Sequence, residues 1–334
     1  MGARRLGAGG PMVGPVGIGA MSFAGFYGAT TEAESHAVLD AALDAGMTHV
    51  DTANVYGMGR SEEVIGAFLK ARGAAARDRL VIATKAGISR DPDSGRRRYD
   101  NSAAHLEAEL DASLARLGVE AVDLFYIHRR EAERPIEEVT EALAGLVRKG
   151  KTRGIGFSEI APSSLRRAAA VHPVAAVQSE YSLSTRFPEL GLVQACAELG
   201  TALVAFSPVG RSLLTDLPMT RDRAAAIGFL KRNPRFMEPN LSANIAATAG
   251  FRALAAERGE PAAALAIAWV LSRGAHVIAI PGTRTPAHAA ELFRGADLAG
   301  DAGLIAEIEA TLPVGWAHGD RYSEDQWIGP ERYC

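Results

Sequence analysis

Eight short runs in this chain are largely apolar, most of them too hydrophobic to show alternation, and a stretch with helical spacing separates nearly every pair of them. The runs cover residues 15–19, 48–51, 80–84, 122–127, 154–157, 174–178, 202–206 and 277–280. A strand with one wet face alternates apolar and polar side chains. A run without alternation is buried on both faces, as in a parallel sheet covered by helices. The helical stretches carry their own punctuation. Thr30 and Thr31 offer N-caps to a stripe of Ala37, Val38, Leu39, Ala42 and Leu43 that ends at Gly46, and Ser102 caps a stripe of Leu106, Leu110, Leu114 and Leu117. Ser61, followed by Glu62 and Glu63, is expected to open another helix, and further helices are expected at about 136–148, after Pro162, and at 190–199, 242–258, 261–271 and 286–293. Eight β-then-α repeats in 334 residues predict an α/β fold of the (β/α)8 TIM-barrel type, with an eight-stranded parallel barrel and extra helices and loops toward the C-terminus. A doubly wound open sheet is the alternative. No linker interrupts the pattern, so residues 1–334 read as one domain, with 1–10 expected to be disordered.

A barrel can host many chemistries, and composition narrows them. A net charge of −3 leaves no surplus of cations to neutralise phosphates, so no nucleic-acid partner is expected. Arg4 and Arg5 are not followed by an apolar core, and no run is long enough to span a bilayer. Neither a secretory signal nor a membrane partner is therefore expected, and the reading is cytoplasmic. Cys196 and Cys334 are too few for a disulfide framework or a zinc site, and no metal is expected. Residues 145–152 (Gly-Leu-Val-Arg-Lys-Gly-Lys-Thr) match the phosphate-loop pattern letter for letter, but they lie after a helix and before a strand, the reverse of the order that aims backbone N–H groups at a phosphate. The expectation is a helix C-terminus with Gly150 as its cap. The first strand lacks a full G-x-G-x-x-G fingerprint.

Barrel chemistry sits where strands end. Asp51 follows the second strand, Lys85 the third and His128 the fourth, and Tyr56 lies on the loop after the second. Lys85 is one of only five lysines among 36 basic residues, which makes its position at a strand end more telling. Alone, each of the four has an ordinary structural explanation. Together they suit proton delivery to a carbonyl oxygen. A phenol titrates near 10, and a neighbouring ammonium is expected to lower that value. Asp51 would hold Lys85, and His128 would orient the substrate oxygen. The group contains no hydride source, so a redox cofactor would have to supply one.

The run Asp51-Thr52-Ala53-Asn54-Val55-Tyr56-Gly57, the strand-end Lys85 and the His128-Arg129 pair after Leu124-Phe125-Tyr126-Ile127 resemble the Asp/Tyr/Lys/His tetrad of the aldo-keto reductase superfamily. The resemblance runs from about residue 15 to 322. It implies a barrel oxidoreductase that reduces an aldehyde or ketone with NAD(P)H, with Tyr56 as general acid. It also implies cofactor positions. Gly19, Ala20 and Met21 would lie by the nicotinamide ribose, and Ser158 and Gln178 would bond the carboxamide. Phe206 would stack on the nicotinamide, and Ser207, Pro208, Val209, Gly210 and Arg211 would pass the pyrophosphate. Pro281, Gly282, Thr283, Arg284 and His288 would meet the adenosine phosphate. Thr283 and Arg284 favour NADPH over NADH. Three residues depart from the family pattern: Glu159 stands where Asn usually follows Ser158, His288 where Arg or Gln is common, and Leu292 where Asn is usual.

The substrate would be a small carbonyl or alcohol met by Met21, Phe23, Tyr56, His128 and Arg129. Arg129 either meets an anionic group or pairs with a neighbouring loop. The segment 210–240 is expected to lie over the cofactor and to order on binding. A monomer is the simplest assembly. Two other readings stand beside the reductase: a nicotinamide-binding regulatory subunit with slow or no turnover, and a lyase using Lys85 as a Schiff base.

Overall fold

The computed structural model describes residues 2–90 and 96–333. Its centre is one sheet of eight parallel strands, each paired with its neighbours in chain order. They are β1 (Ile18–Gly19), β2 (His49–Asp51), β3 (Val81–Ala86), β4 (Leu124–Ile127), β5 (Ile155–Ser158), β6 (Ala176–Glu180), β7 (Ala202–Phe206) and β8 (Val277–Ile280). Val16 pairs in parallel with Ala279. Gly17 N donates to Ala279 O at 2.8 Å and Ala279 N to Pro15 O at 3.0 Å, so first and last strands meet and the sheet closes into a barrel. Closure excludes the open-sheet alternative.

Side chains along a barrel strand alternate between the interior and the helix-facing side. Val81, Ala83, Leu124, Tyr126, Ala176, Ala202, Val204, Ile278 and Ile280 pack together inside. The outward residues, such as Ile82, Phe125, Val177 and Leu203, join the larger core beneath the helices. The interior is narrow and mixes small with large residues. A Cβ on Gly156 would meet Tyr126 Cδ1 at 2.5 Å and Ala176 O at 2.7 Å. Gly156→Ala is therefore expected to cost about 1–3 kcal/mol through overpacking. A urea melt checks this, and an unchanged midpoint would contradict it.

Helices cover the barrel. The N-terminus of Glu32–Asp44 carries a capping box, with Thr31 accepting from Glu34 N and the Glu34 carboxylate accepting from Thr31 N. Ser102 caps Ala103–Leu117 as expected. The helix expected to open at Ser61 begins at Arg60, with Gly59 as its N-cap. Ser61 instead turns its hydroxyl inward to Ala20 O, at 2.8 Å. The predicted helix 242–258 is two helices, Asn240–Ala247 and Ala249–Glu257. Ala262–Leu271 is buried on every side, with Trp269 in its last turn. No helix among the described residues is long and apolar enough to cross a membrane.

At residues 145–152 the helix Ile136–Arg148 ends in a Schellman motif. Lys151 N donates to Leu146 O and Gly150 N to Val147 O, with Gly150 at φ +73°. Lys149 and Lys151 both pair with Glu107 and are not turned toward a phosphate.

Several segments depart from the sequence reading. Most of the stretch 1–10 is ordered: Arg4–Arg5 and Met12–Val13 form an antiparallel hairpin. Buried Arg4 donates to the carbonyls of Leu271, Gly274 and Val277, which ties this hairpin to the segment leading into β8. The loop after β3 contains the pair Ile88–Arg90 and Arg97–Tyr99. The segment 210–240 holds the helix Arg221–Ala226 and a small core of its own, built on Leu213, Met219, Ile227, Leu230 and Phe236. A helix at Ala302–Thr311, capped by Asp301, follows Pro286–Leu298.

Candidate active site

The parity of the strands places the candidate residues. Moving two positions past the interior layer toward the strand ends leads from Ala83 to Lys85, from Tyr126 to His128, from Ala176 to Gln178 and from Val204 to Phe206. Asp51 lies beside Ala83 and Ser158 beside Gln178 in the ladder, so both share that inward side. Six residues from six strands thus converge on one mouth because each has the same parity.

Lys85 is fully buried and is the hub. Its Nζ donates to Asp51 Oδ1 and, at 2.7 Å, to Thr52 O. An amine held this way is not free to attack a carbonyl carbon, which argues against the Schiff-base lyase. Asp51 Oδ2 accepts from Gln178 Nε2 at 2.7 Å, so Gln178 braces the carboxylate as well as standing at the expected carboxamide position. Lys85 Nζ lies 5.2 Å from the centroid of the Tyr56 ring and 5.8 Å from that of Tyr126. Tyr56 meets His128 edge-on with centroids 5.7 Å apart, and Phe26 at 6.1 Å.

The expected lowering of the Tyr56 pKa is outweighed. Burial pushes the phenol up and Asp51 adds to that, while the charges of Lys85 and Arg129 and a hydrogen bond from Lys85 pull it down; the balance lies above the usual value. Tyr56 therefore holds its proton at neutral pH, as a donor must. His128 goes the other way. Burial, then Arg129, Lys85 and Arg97, hold it well below the usual histidine range, so it is a neutral ring. Its Nδ1 is buried without a partner, which leaves Nε2 as the nitrogen that can face a ligand.

His49 and His276 are also depressed, chiefly by burial. These three histidines are neutral when folded but take protons near pH 6.5 when unfolded. Their contribution is whole above that pH and declines as pH falls through the window between it and the folded values. The expected result is a denaturation midpoint that is flat from pH 8 to 7 and falls from pH 6.5 to 5. A midpoint constant to pH 5 would contradict it.

The other candidate positions divide into those that frame a groove and those already engaged. Ser22 Oγ donates to Thr283 O at 2.8 Å, which fixes the loop after β8 against β1. A Cβ on Gly19 would meet Ile280 O at 2.7 Å, so a bare backbone is required there. Ala20 is buried, and Met21 and Phe206 are half-buried at the mouth. Thr285 caps Pro286–Leu298, with exposed His288 in its first turn and Arg284 just before it. Among the described residues the Arg284 guanidinium has only Ala29 O, at 3.1 Å, as a hydrogen-bond acceptor. Ser207, Gly210 and Arg211 all have φ between 51° and 58°, with Pro208 and Val209 between them. Non-glycine residues held there mark a strained strap of the kind found at ligand sites. These features suit a dinucleotide: an open aromatic face, a glycine-lined approach and an arginine beside a helix N-terminus.

One candidate needs correcting, and the side chain of a second is engaged elsewhere. Phe23 is 3% exposed and belongs to the core beneath the helices, so it is not a substrate contact; Phe26 stands beside Tyr56 instead. Arg211 is buried, and its Nη2 donates to Glu180 Oε2 at 2.7 Å, so its guanidinium is already committed. Glu159 is buried at φ +59°, and Arg321 grips both its oxygens from the C-terminal segment. This pairing explains why a carboxylate is tolerated after Ser158. Thr52 and Tyr126 were also missed. Tyr126 could have been found by stepping back two residues from His128.

A surface cavity of about 510 Å3, lined by Arg77, Leu80, Asp123 and Arg153, lies at the opposite end of the barrel. Its arginines, Arg77 and Arg153, already pair with Asp123, whereas Asp51, Lys85, Tyr56 and His128 converge at the mouth.

The aldo/keto reductase family model matches residues 15–312. The chain is 35% identical to the aldo-keto reductase yakc of Schizosaccharomyces pombe, whose name carries NADP(+), over 92% of this chain and 91% of that protein. It is 38% identical to the aldo-keto reductase str7 of Strobilurus tenacellus over 82% of this chain and 81% of that one. Among solved structures, the glycerol dehydrogenase AKR11B4 from Gluconobacter oxydans superposes with a TM-score of 0.79 at 28% identity, covering 93% of this chain and 94% of that one. With a family match over nearly its whole length and relatives this similar, the chain belongs to the aldo/keto reductase family.

Proposed function

We propose that this chain reduces an aldehyde or ketone to the alcohol, reversibly, using NADPH, with Tyr56 as the proton donor. The observation that carries the reading is the convergence of Asp51, Lys85, Tyr56 and His128 at one barrel mouth, with the lysine buried on its aspartate. When bound, the nicotinamide supplies the hydride. Neutral His128 donates from Nε2 to the carbonyl oxygen and fixes its position. Tyr56 delivers its proton to that oxygen as negative charge develops, and the buried Lys85 ammonium stabilises the phenolate left behind. Asp51, braced by Gln178, keeps Lys85 in place. Ser158, Gln178 and Phe206 would hold the nicotinamide, and Thr283, Arg284 and the helix start at Pro286 would hold the adenosine phosphate. The same family name on the S. pombe relative, with NADP(+), supports this cofactor choice.

The test is NADPH oxidation at 340 nm over a panel of simple aldehydes and ketones, alongside a fluorescence titration with both cofactors. NADPH should bind more tightly than NADH. Arg284→Ala should weaken NADPH about tenfold or more, by the loss of charge-assisted bonds, and leave NADH nearly unchanged. Equal loss for both cofactors would remove Arg284 from the 2′-phosphate. Tightly held NADPH with no turnover on any carbonyl would favour the regulatory subunit.

A further inference from the structure

Arg129 follows His128 directly and, among the described residues, makes no salt bridge to a neighbouring loop. Its Nη1 donates to His128 O and to Ser158 Oγ at 3.1 Å, and its Nη2 to Tyr322 OH at 3.3 Å. All three acceptors are neutral. Among the described residues no carboxylate lies within ion-pair distance of Arg129. Glu159 is near enough to feel its charge, but that carboxylate is already filled by Arg321, Ser179 and Glu180 N. The Nε of Arg129 has no hydrogen-bond partner among the described residues and is open to solvent. Arg97, on the hairpin beside the mouth, is exposed, has no carboxylate partner among the described residues, and bears electrostatically on His128. Buried Arg130, Arg211, Arg235 and Arg321 each meet a carboxylate, so half-buried Arg129, beside His128 and with none among the described residues, stands out.

We infer that Arg129, assisted by Arg97, is an anion subsite, and that the preferred substrate is a carbonyl compound carrying a carboxylate. The inference rests on the reductase reading and deepens it. Arg129 is fixed by three neutral bonds yet keeps spare N–H groups, and a planar guanidinium matches a carboxylate in geometry as well as charge. The carboxylate would supply the charge partner that the protein withholds. Its carbonyl oxygen would then lie toward Tyr56 and His128.

The test compares 4-carboxybenzaldehyde with its neutral ester, methyl 4-formylbenzoate, under NADPH. The parent enzyme should favour the acid by about tenfold or more in kcat/KM. Arg129→Met should collapse that ratio, Arg97→Met should reduce it severalfold, and 0.5 M salt should narrow it in the parent. A parent ratio near one, or equal losses on both aldehydes in Arg129→Met, would overturn the anion subsite. If Arg129→Met does not fold, Arg97→Met and the salt series still decide. The absence of turnover with both aldehydes would sink the reductase reading and this subsite with it, whereas equal turnover of both sinks the subsite alone.

Discussion

Tyr56→Phe is expected to lower kcat for carbonyl reduction by about 10²- to 10⁴-fold, the usual contribution of a positioned general acid. The substitution removes one oxygen. The ring keeps its edge contacts with His128 and Phe26, and Lys85 keeps Asp51 and Thr52 O. Folding and NADPH affinity should therefore be retained, and the fall should be in kcat. The pH profile is a second readout. Burial, together with Asp51, holds the parent phenol above its usual pKa despite Lys85. The proton-donating form is thus present throughout the neutral range, and the reduction rate should decline only on the alkaline side, above about pH 10. Single-turnover kinetics with saturating NADPH would measure the effect directly. Turnover within a few-fold of the parent would remove Tyr56 from the proton-donor role.

Arg321→Met is expected to cost about 3–5 kcal/mol of stability, the range for breaking a buried ion pair from one side. Both partners are nearly sealed, with side-chain exposure of 4% for Arg321 and 2% for Glu159. The guanidinium also lies 4.6 Å from the Tyr322 ring centroid and 4.7 Å from that of Trp327. Methionine keeps much of the volume and removes the charge, leaving Glu159 buried without its ion-pair partner. Burial would raise the Glu159 pKa, but Arg321 and the other bonds to it win, and the folded value is depressed. With an unfolded value near 4.3, the pair's contribution is full above that pH and is lost as pH falls through the folded value. The Arg321→Met deficit should therefore be whole at pH 7 and shrink in strong acid. Adding Glu159→Gln should restore part of it. Urea melts of the two single variants and the double would show this, and simple additivity would contradict a direct pair.

The barrel and the tetrad were legible for one physical reason. Strands buried on both faces must be apolar throughout, so the few ionisable residues at their ends stand out, as Asp51, Lys85 and His128 do. The bounds of β7 and β8 match the sequence reading; elsewhere the apolar runs begin one to three residues before the ladder, and β3, β5 and β6 carry on one or two residues past theirs, to Ala86, Ser158 and Glu180. The hairpin at Arg97–Tyr99 went unread because its charged residues show no alternation. Residues 1–10 read as disordered because glycines and arginines dominate them, yet Arg4 finds its carbonyl acceptors about 270 residues away. Glu159 could be seen as a departure from pattern, but its partner Arg321 lies 162 residues on, and no local rule links the two. The Tyr56 pKa was misjudged in direction because sequence shows the neighbouring charge and hides the burial.

Barrel closure has a consequence for how the chain is made. Ala279 N donates to Pro15 O across some 264 residues of chain. During synthesis, the free side of β1 has no partner until β8 leaves the ribosome. For that whole interval the nascent protein carries an open sheet edge beside an uncovered apolar interior, the combination that recruits other chains. Contacts of such long range also slow folding, because the entropy of joining distant segments is lost before their pairing is gained. A chain that stops before residue 277 should therefore accumulate as aggregate rather than as a smaller soluble barrel. The last strand, which contributes no residue to the tetrad, decides whether the earlier seven become a protein at all.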